Sequence, residues 1–275
     1  PIGRFTGSFS RTTAVELGTV AVNAALQQAG IEASAVEQVI LGMGRQAGAK
    51  PNPARQVQLA AGIPQEATAW TANMACASGM KTIMLAADEI RLGRAKIVVA
   101  GGMENMSRVP FMLDRMRDGY RLGDAPLIDG MYHDGFKCPV SGMIMGETAE
   151  LLAQEGNISR EEQDAFAIES QDKANAAWAA DHFRAEIAPV VLKTRKGETV
   201  MNRDEHIRAS TTMEGLAKLP AVFAKENGTV TPGNASGITD GAAALVVMSA
   251  EEAEKRGVEP LAELLDYHQS GTDPK

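Results

Sequence analysis

Apolar residues recur alternately at helical and at strand spacing along much of the chain. Apolar positions three and four residues apart predict helices over residues 14–29, 54–61 and 80–92. Short runs of β-branched or small apolar residues predict strands over residues 36–41, 68–72, 96–100 and 242–249. Strands that alternate with helices are typical of α/β proteins, so we expect a mostly parallel sheet with helices on both faces.

The pattern changes between residues 107 and 228, where no long apolar strand is found. One helix in this stretch has a clear start, because Ser159 is followed three residues later by Glu162, which is the spacing of a capping box. We therefore expect an irregular subdomain over residues 107–228, inserted into a core formed by residues 1–106 and 229–256.

The composition and charge of the 275 residues exclude several classes of protein. Hydrophobic residues make up 44% and charged residues 23%, which fits one large or two modest domains with a core of their own. The net charge of −8 argues against an ordinary basic nucleic-acid surface. The longest apolar stretch, residues 242–250, is far shorter than the roughly 20 residues of a membrane helix. We expect no nucleic-acid partner and no membrane span.

The chain has two cysteines, Cys76 and Cys138, with no CxxC pair and no histidine at metal-ligand spacing. This use of cysteine predicts no metal site and fits a reducing compartment such as the cytoplasm. Cys76 stands at the turn between the strand predicted over 68–72 and the helix predicted over 80–92, whose apolar composition indicates deep burial. The unpaired N–H groups and the dipole at the start of a helix favour a thiolate, so Cys76 is a candidate nucleophile. The alternative interpretation is a small buried residue.

Two further segments could contact a ligand. Residues 233–241 form a polar, glycine-rich loop before a predicted strand, where the backbone could approach a ligand or make a plain turn. Residues 193–208 carry five cations against three acids in an acidic chain, which could hold a phosphorylated ligand or form a solvated surface. Neither segment identifies a reaction by itself.

Five segments match, in order, the motifs of one enzyme family. Residues 73–79 match N-x-x-C-x-S-G, the motif around that family's reactive cysteine. The other four segments are residues 1–5, similar to the loop after the first strand, 99–107, similar to A-G-G-x-E-x-M-S, 145–150, similar to M-G-x-T-A-E, and 233–241, similar to G-N-A-S-G-x-x-D-G-A. The chain therefore resembles the N-terminal half and the loop region of the thiolases, without their first strand.

The resemblance implies acyl transfer through an acyl-cysteine. Cys76 matches the family's nucleophile, which takes an acyl group from acyl-CoA as a thioester, and its backbone N–H would help to stabilise the oxyanion. Contacts to CoA are implied for Arg208 at the adenine end, Ser236 on the pantetheine arm, and Met145 and Phe223 along the tunnel. In this view residues 107–228 cover the CoA. The resemblance implies a homodimer or homotetramer and no further cofactor, since the CoA thioester is itself the substrate.

The activity implied is that of acetyl-CoA C-acetyltransferase, which converts two acetyl-CoA into acetoacetyl-CoA and CoA. Ile144 stands where biosynthetic members have a histidine, which favours a broader 3-ketoacyl-CoA thiolase of fatty-acid oxidation as the alternative. The family's second half carries a histidine base and a second cysteine, and the motifs for both are not found in the 275 residues. Residues 257–275 correspond to the start of that second half. A non-catalytic CoA-binding half is the third alternative.

Overall fold

The computed structural model describes residues 1–195 and 197–274, so Lys196 of the predicted basic segment and Lys275 of the predicted C-terminal segment lie outside the described residues. The internal contacts divide the chain into two compact units. The first unit comprises Pro1–Pro110, Ala188–Asn202 and Thr239–Ser270, and the second comprises Phe111–Ile187, Arg203–Ile238 and the residues from Gly271 onwards. The borders expected from the sequence, after residues 106, 228 and 256, stay a prediction about domains.

The helices and strands expected from the sequence spacing are found, and the largest shift of an end is at β4, which continues to Asn105. The strands are β1 (Gly3–Arg4), β2 (Gln38–Gly42), β3 (Thr68–Ala72), β4 (Ile97–Asn105), β5 (Phe111–Met112), β6 (Ile128–Asp129), β7 (Val190–Thr194), β8 (Gly197–Met201) and β9 (Thr239–Met248). The α-helices are α1 (Ala14–Ala29), α2 (Pro53–Ala60), α3 (Ser78–Arg91), α4 (Met145–Glu155), α5 (Arg160–Ala179), α6 (Met213–Ala217) and α7 (Ala250–Arg256). None of the helices formed by the described residues is long and apolar enough to cross a membrane.

The first unit is built on a five-stranded sheet with the strand order β1-β9-β4-β2-β3. Strand β2 pairs in parallel with both β3 and β4. Strand β9 is antiparallel to its neighbours β1 and β4, so the mostly parallel sheet expected from the sequence is a mixed sheet. Parallel neighbours need a crossover connection, whereas β9 follows a long intervening segment and can enter from the opposite end of the sheet.

The alternation of side chains along the strands places helices on both faces of the sheet. Val39, Leu41 and Val99 are buried in one apolar cluster, which also contains residues of α1 and α2. Ile40 and Val98, their neighbours in sequence, belong to a second cluster with residues of α3. Successive side chains of a strand point to opposite faces, so each strand contributes to both clusters. The predicted α/β architecture is confirmed.

Helix α3 is buried on one face only, which corrects the deep burial expected from its composition. Thr82 and Ala86 are fully buried, whereas the side chain of Met80 is 64% exposed. An apolar composition without a clear polar face does not by itself reveal which side of a helix is covered. The buried side of α3 packs on the five-stranded sheet, against Ile40 and Val98.

Strands β7 and β8 belong to the first unit, although both lie inside the segment that the sequence assigned to the insertion. The two strands pair antiparallel, with Val190 opposite Met201. Val190 is buried together with Phe9 and Leu17. The mixed polar sequence of β8 gives little strand signal, so the sequence analysis did not predict this pair.

The second unit is built from α4, α5, α6, the short antiparallel pair β5 and β6, and loops. Helix α5 begins with the predicted capping box: Glu162 N–H donates to Ser159 Oγ (3.2 Å), and Ser159 N–H donates to Glu162 Oε2 (2.8 Å). Arg160 Nη2 donates to the carbonyl oxygens of Leu216 (2.6 Å) and Leu219 (3.2 Å), which joins α5 to the segment of α6. Side-chain to backbone hydrogen bonds therefore hold much of this unit together.

Candidate active site

Cys76 lies in a tight turn between β3 and α3, and we call residues 73–77 the nucleophile turn. Ala75, directly before Cys76, has a φ of +47°, a left-handed conformation that a residue with a Cβ rarely adopts. The Cys76 side chain is exposed. The interpretation of Cys76 as a small buried residue is therefore wrong, and the sulfur is accessible to a reagent or substrate.

Two polar side chains hold the nucleophile turn in this conformation. Ser78 Oγ accepts a hydrogen bond from Met74 N–H (2.8 Å) and donates to the carbonyl oxygen of Ala75 (2.6 Å). Asn73 Oδ1 accepts a hydrogen bond from Ala75 N–H (3.0 Å). The Asn and Ser of the N-x-x-C-x-S-G pattern thus have a structural reason, since both side chains fix the turn that presents Cys76.

The first turn of α3 lies very close to the sheet. A Cβ atom added to Gly42 in β2 would lie 2.5 Å from the backbone carbon of Ser78 and 2.7 Å from the backbone nitrogen of Gly79. Thr82, one turn further along α3, accepts a hydrogen bond from Gly101 N–H of β4 (2.9 Å). Only a glycine at position 42 allows this close approach, which fixes the height of Cys76 above the sheet.

The turn exposes groups that can stabilise negative charge. No described residue accepts a hydrogen bond from the Cys76 N–H, and Cys76 comes two residues before the first residue of the 14-residue helix α3. The positive end of a helix dipole and free N–H groups at this end favour an anionic sulfur or a developing oxyanion. The arrangement can therefore support nucleophilic attack by the Cys76 thiolate on a carbonyl carbon.

Glu104, near the end of β4, is a half-buried acid that the sequence analysis did not single out. Its Oε2 accepts hydrogen bonds from Gly44 N–H (2.9 Å) and Arg45 N–H (3.1 Å). Burial raises the pKa of Glu104, and the charge of Asp240 adds to the effect, although the two N–H groups and the Arg45 charge partly oppose it. The glutamate of the A-G-G-x-E-x-M-S pattern was the available signal.

The four predicted CoA contacts all lie in the second unit, whereas Cys76 lies in the first. Met145 is the first residue of α4 and is half exposed. A Cβ atom added to its neighbour Gly146 would lie 2.1 Å from Cε2 of Phe223, so the Phe223 ring rests directly on the start of α4. The structure thus brings the two residues predicted for the tunnel into one neighbourhood.

Arg208 and Ser236, both exposed, belong to two segments that also meet. A Cβ atom on Gly237 would lie 2.3 Å from Cε1 of His206, so the His206 ring packs on the residue after Ser236. The backbone N–H of Arg208 donates to Gln171 Oε1 of α5 at 2.7 Å. The segments that carry the predicted adenine and pantetheine contacts therefore meet through His206 and Gly237 within the second unit.

Two buried carboxylates hold the glycine-rich loop that carries Ser236 and the residues directly before it. Asp164 Oδ1 of α5 accepts a hydrogen bond from Asn234 Nδ2 (2.9 Å). Glu150 of α4 accepts hydrogen bonds from the N–H of Thr229 (2.9 Å) and of Val230 (2.9 Å) and from the Thr229 hydroxyl (2.8 Å). Burial alone would raise the pKa of Glu150, but these bonds and the Arg160 charge hold it below its ordinary value.

The predicted basic segment is divided between the units. Lys193 and Arg195 belong to the first unit, where Lys193 Nζ lies 3.9 Å from Glu198 Oε1. Arg203 belongs to the second unit and lies over the Trp178 ring, with its Cζ 5.6 Å from the ring centroid.

Among the described residues, no group of three or more His, Cys, Asp and Glu side chains is arranged to hold a metal ion.

Comparisons with known proteins bear directly on this site. The family model described as Thiolase, N-terminal domain, matches residues 1–251. The chain is 47% identical over 274 residues to the acetyl-CoA acetyltransferase of Rhizobium meliloti (strain 1021), covering 100% of this chain and 69% of the relative. It is 48% identical over 275 residues to the acetyl-CoA acetyltransferase of Cupriavidus necator, with 100% and 70% coverage.

A solved structure gives the same result. The crystal structure of the Bacillus anthracis acetyl-CoA acetyltransferase matches with a TM-score of 0.91 and 42% sequence identity. The match covers 95% of this chain and 66% of that chain. The chain thus spans about two thirds of the length of the proteins that it matches.

Proposed function

This chain belongs to the thiolase family, and from that premise we propose that it acts as an acetyl-CoA C-acetyltransferase, joining two acetyl-CoA to form acetoacetyl-CoA and CoA. The relatives at 47% and 48% identity carry this name, which supports the proposal. The single observation that carries it is the exposed Cys76, held in a strained turn at the start of α3.

The proposed reaction has two halves. First, Cys76 Sγ attacks the thioester carbonyl carbon of acetyl-CoA, the carbonyl oxygen becomes an oxyanion near the Cys76 N–H, and CoA leaves as acetyl-cysteine forms. Second, a carbanion made by removing a proton from C2 of another acetyl-CoA attacks the acetyl carbonyl, and the cysteine thiolate leaves. A base must also move these protons. We do not assign that base to any of the 275 residues, because the family's motifs for the base are not among them.

We assign the second unit to CoA. Arg208 would contact the adenine end and Ser236 the pantetheine, while Met145 and Phe223 would line the path of the thioester. The packing of His206 on Gly237 and of Phe223 on Gly146 supports grouping these residues in one unit. The CoA thioester is the substrate, and the proposal includes no other cofactor.

The proposal extends to assembly and compartment. We infer a homodimer or homotetramer from the family, to be tested by light scattering on the purified protein. We also propose a cytoplasmic location, which the two free cysteines support. Fractionation of the source cells tests this second inference.

The test of the proposed function is acetylation of Cys76. The protein, expressed from its complete gene, is mixed briefly with acetyl-CoA and its intact mass is measured, followed by peptide mapping. We expect one acetyl group on Cys76, and complete loss of acetylation and of turnover in Cys76→Ala. Cys138→Ala is the matched control and should keep both. Mapping is required because the Ser141 side chain and nearby backbone N–H groups lower the pKa of the Cys138 thiol.

Turnover retained by Cys76→Ala contradicts the assignment. A 3-ketoacyl-CoA thiolase of broader chain length is the second candidate, and Ile144 is the observation that favours it: it lies directly before α4, where biosynthetic members have a histidine. Rates with 3-ketoacyl-CoA substrates of increasing chain length separate the two activities. No acetylation of Cys76 at all would instead favour a CoA-binding protein without catalysis.

A further inference from the structure

Glu104 is a half-buried acid for which the proposed reaction has no use. Its Oε1 is buried and makes no hydrogen bond with any described residue. A carboxyl group that is withdrawn from water with one oxygen unpaired is costly to maintain. The contacts of its other oxygen are therefore the place to look for a compensating role.

Those contacts begin a series of hydrogen bonds, which we call the relay, that runs from Glu104 through Gly44 and Asn73 to the nucleophile turn. Glu104 Oε2 accepts both N–H groups of the Gly44–Arg45 segment, which directly follows β2. The carbonyl oxygen of Gly44 accepts a hydrogen bond from Asn73 Nδ2 (3.1 Å). The same Asn73 side chain accepts the Ala75 N–H (3.0 Å).

The relay acts at the strained residue. Ala75 has a φ of +47°, and Cys76 follows it directly. A Cβ atom on Gly44 would lie 3.2 Å from Glu104 Oε2 and 3.5 Å from the carbonyl oxygen of Ala75, so the Gly44 residue fills the space between the acid and the turn. A left-handed alanine persists only where its surroundings over-determine the conformation, and this relay supplies part of that support.

We propose that Glu104 is a positioning residue for the nucleophile: through Gly44 and Asn73 it holds the nucleophile turn in the conformation that presents Cys76 Sγ and N–H to the substrate. This inference rests on the proposed function of Cys76. Both N–H bonds end on one oxygen, so a glutamine carbonyl can replace that oxygen whereas an alanine cannot. Arg45 and Asp240 are the charged groups that also act on Glu104, with opposite signs.

The test compares Glu104→Ala, Glu104→Gln and the wild type in the protein expressed from its complete gene. Two rates are measured on Cys76: acetylation by acetyl-CoA and alkylation by iodoacetamide. A displacement of about 1 Å can cost on the order of 100-fold in a positioned reaction, so we expect acetylation to fall about 10- to 100-fold in Glu104→Ala. Glu104→Gln should stay within about 3-fold of the wild type, since it keeps the two accepted N–H bonds.

Glu252→Ala is the matched control, because Glu252 is a buried glutamate of the first unit that pairs with Arg256 and does not contact the nucleophile turn. It should lower stability without slowing acetylation of Cys76. As a second variant, Asn73→Ala removes the middle of the relay. The double variant with Glu104→Ala should be no slower than the slower single variant, since groups that act as one unit are not additive.

Three results overturn the proposal. They are wild-type acetylation in Glu104→Ala, equal loss in Glu104→Gln and Glu104→Ala, and additive losses in the double variant. The Michaelis constant for acetyl-CoA should change little, because the relay acts on the turn and not on the proposed CoA contacts. A wild type that fails to acetylate Cys76 would contradict the proposed function instead, and the alkylation rates would still report whether Glu104 controls the turn.

Discussion

Glu104 in the first unit and Glu150 in the second are both partly or fully buried glutamates that accept N–H bonds from a neighbouring loop. Glu104 uses one oxygen for two N–H groups and leaves the other unpaired, and its pKa is raised by burial. Glu150 uses Oε1 for the Val230 N–H and Oε2 for the Thr229 N–H and hydroxyl, and its pKa is lowered despite burial. At Glu104 desolvation outweighs the two N–H bonds and the Arg45 charge, whereas at Glu150 the N–H and hydroxyl bonds together with the Arg160 charge outweigh desolvation.

The same contrast runs through the two units. The first unit gains its shape from an apolar sheet with helices packed closely on it, and Cys76 is placed by backbone contact between α3 and the sheet. The second unit has few buried apolar residues and is held by carboxylates and an arginine that bind backbone groups. We therefore expect steric changes to damage the first unit most and changes of charge to damage the second.

The largest expected effect is steric and lies in the first unit. Gly42→Ala places a methyl group 2.5 Å from the backbone of Ser78, so the first turn of α3 must move away from the sheet. We expect a loss of about 3 kcal/mol in unfolding free energy, at the upper end for overpacking, together with much slower acetylation of Cys76. Urea unfolding and the acetylation rate measure the two effects.

Gly79→Ala is the control for this prediction. A Cβ atom at Gly79 would meet only the Gly101 carbonyl oxygen at 4.0 Å, and an alanine in a helix is favoured over glycine by up to about 1 kcal/mol. Gly79→Ala should therefore be neutral or stabilising. If Gly42→Ala proved as stable and as reactive as Gly79→Ala, close backbone packing would not be what places Cys76.

The second expected effect concerns charge in the second unit. Because the pKa of Glu150 is lower in the folded protein than its ordinary value of 4.5, its stabilising contribution is complete above that pH and is lost as the pH falls through the lower, folded value. Glu150→Gln cannot accept all the bonds that the carboxylate accepts, so we expect a loss of about 1–3 kcal/mol at neutral pH. The stability of the variant should also depend less on acid than that of the wild type, because glutamine does not titrate.

Hydrogen exchange of the second unit, followed from neutral pH to well below pH 4.5, measures both the loss of stability and its dependence on acid. Glu169→Gln is the control, because Glu169 also has a lowered pKa, from its hydrogen bond with Lys173, but lies on the surface of α5. An exposed pair of this kind contributes little, so the control should behave like the wild type. If the stability of Glu150→Gln depended on acid as strongly as that of the wild type, the claim that charge holds the second unit together would be wrong.

The sequence predicted the first unit better than the second for a physical reason. Apolar spacing reports burial against a sheet, and the strand over 68–72 and the helix over 14–29 were predicted with the observed ends. It does not report polar contacts, so it does not predict that Asp164 binds the loop of Ser236 or that Glu150 binds the residues directly before that loop. The antiparallel direction of β9 also depends on how the chain returns, which local spacing does not contain.

The candidate site shows the same division. Cys76 could be selected from its motif and its place before a helix, and in the structure it lies in a turn before α3 with its side chain exposed. The A-G-G-x-E-x-M-S pattern contains Glu104 but does not reveal its contacts, because its partners Gly44 and Arg45 lie about 60 positions away in sequence and are bound through backbone groups of any residue type. The CoA contacts predicted from the resemblance, Arg208, Ser236, Met145 and Phe223, stay predictions.

The smallest expected effect concerns a feature that the two units share. Helix α1 in the first unit and α5 in the second both begin with a capping box, in which Glu16 N–H donates to Thr13 Oγ1 (3.1 Å) and Glu162 N–H donates to Ser159 Oγ (3.2 Å). Removing such a cap costs about 1 kcal/mol because one helix N–H loses its partner. Thr13→Ala and Ser159→Ala should therefore destabilise their own units by similar amounts.

Hydrogen exchange resolved along the chain measures these two losses separately, and Thr13→Ser and Ser159→Thr, which keep the hydroxyl, are the controls. Neither alanine variant should slow acetylation of Cys76. A markedly larger loss for Ser159→Ala would mean that the second unit, with its smaller apolar core, depends on each polar contact more steeply than the first. Equal losses of unfolding free energy in the two alanine variants would mean that helix capping contributes alike in both units. The contrast between steric and electrostatic sensitivity would then rest on Gly42 and Glu150.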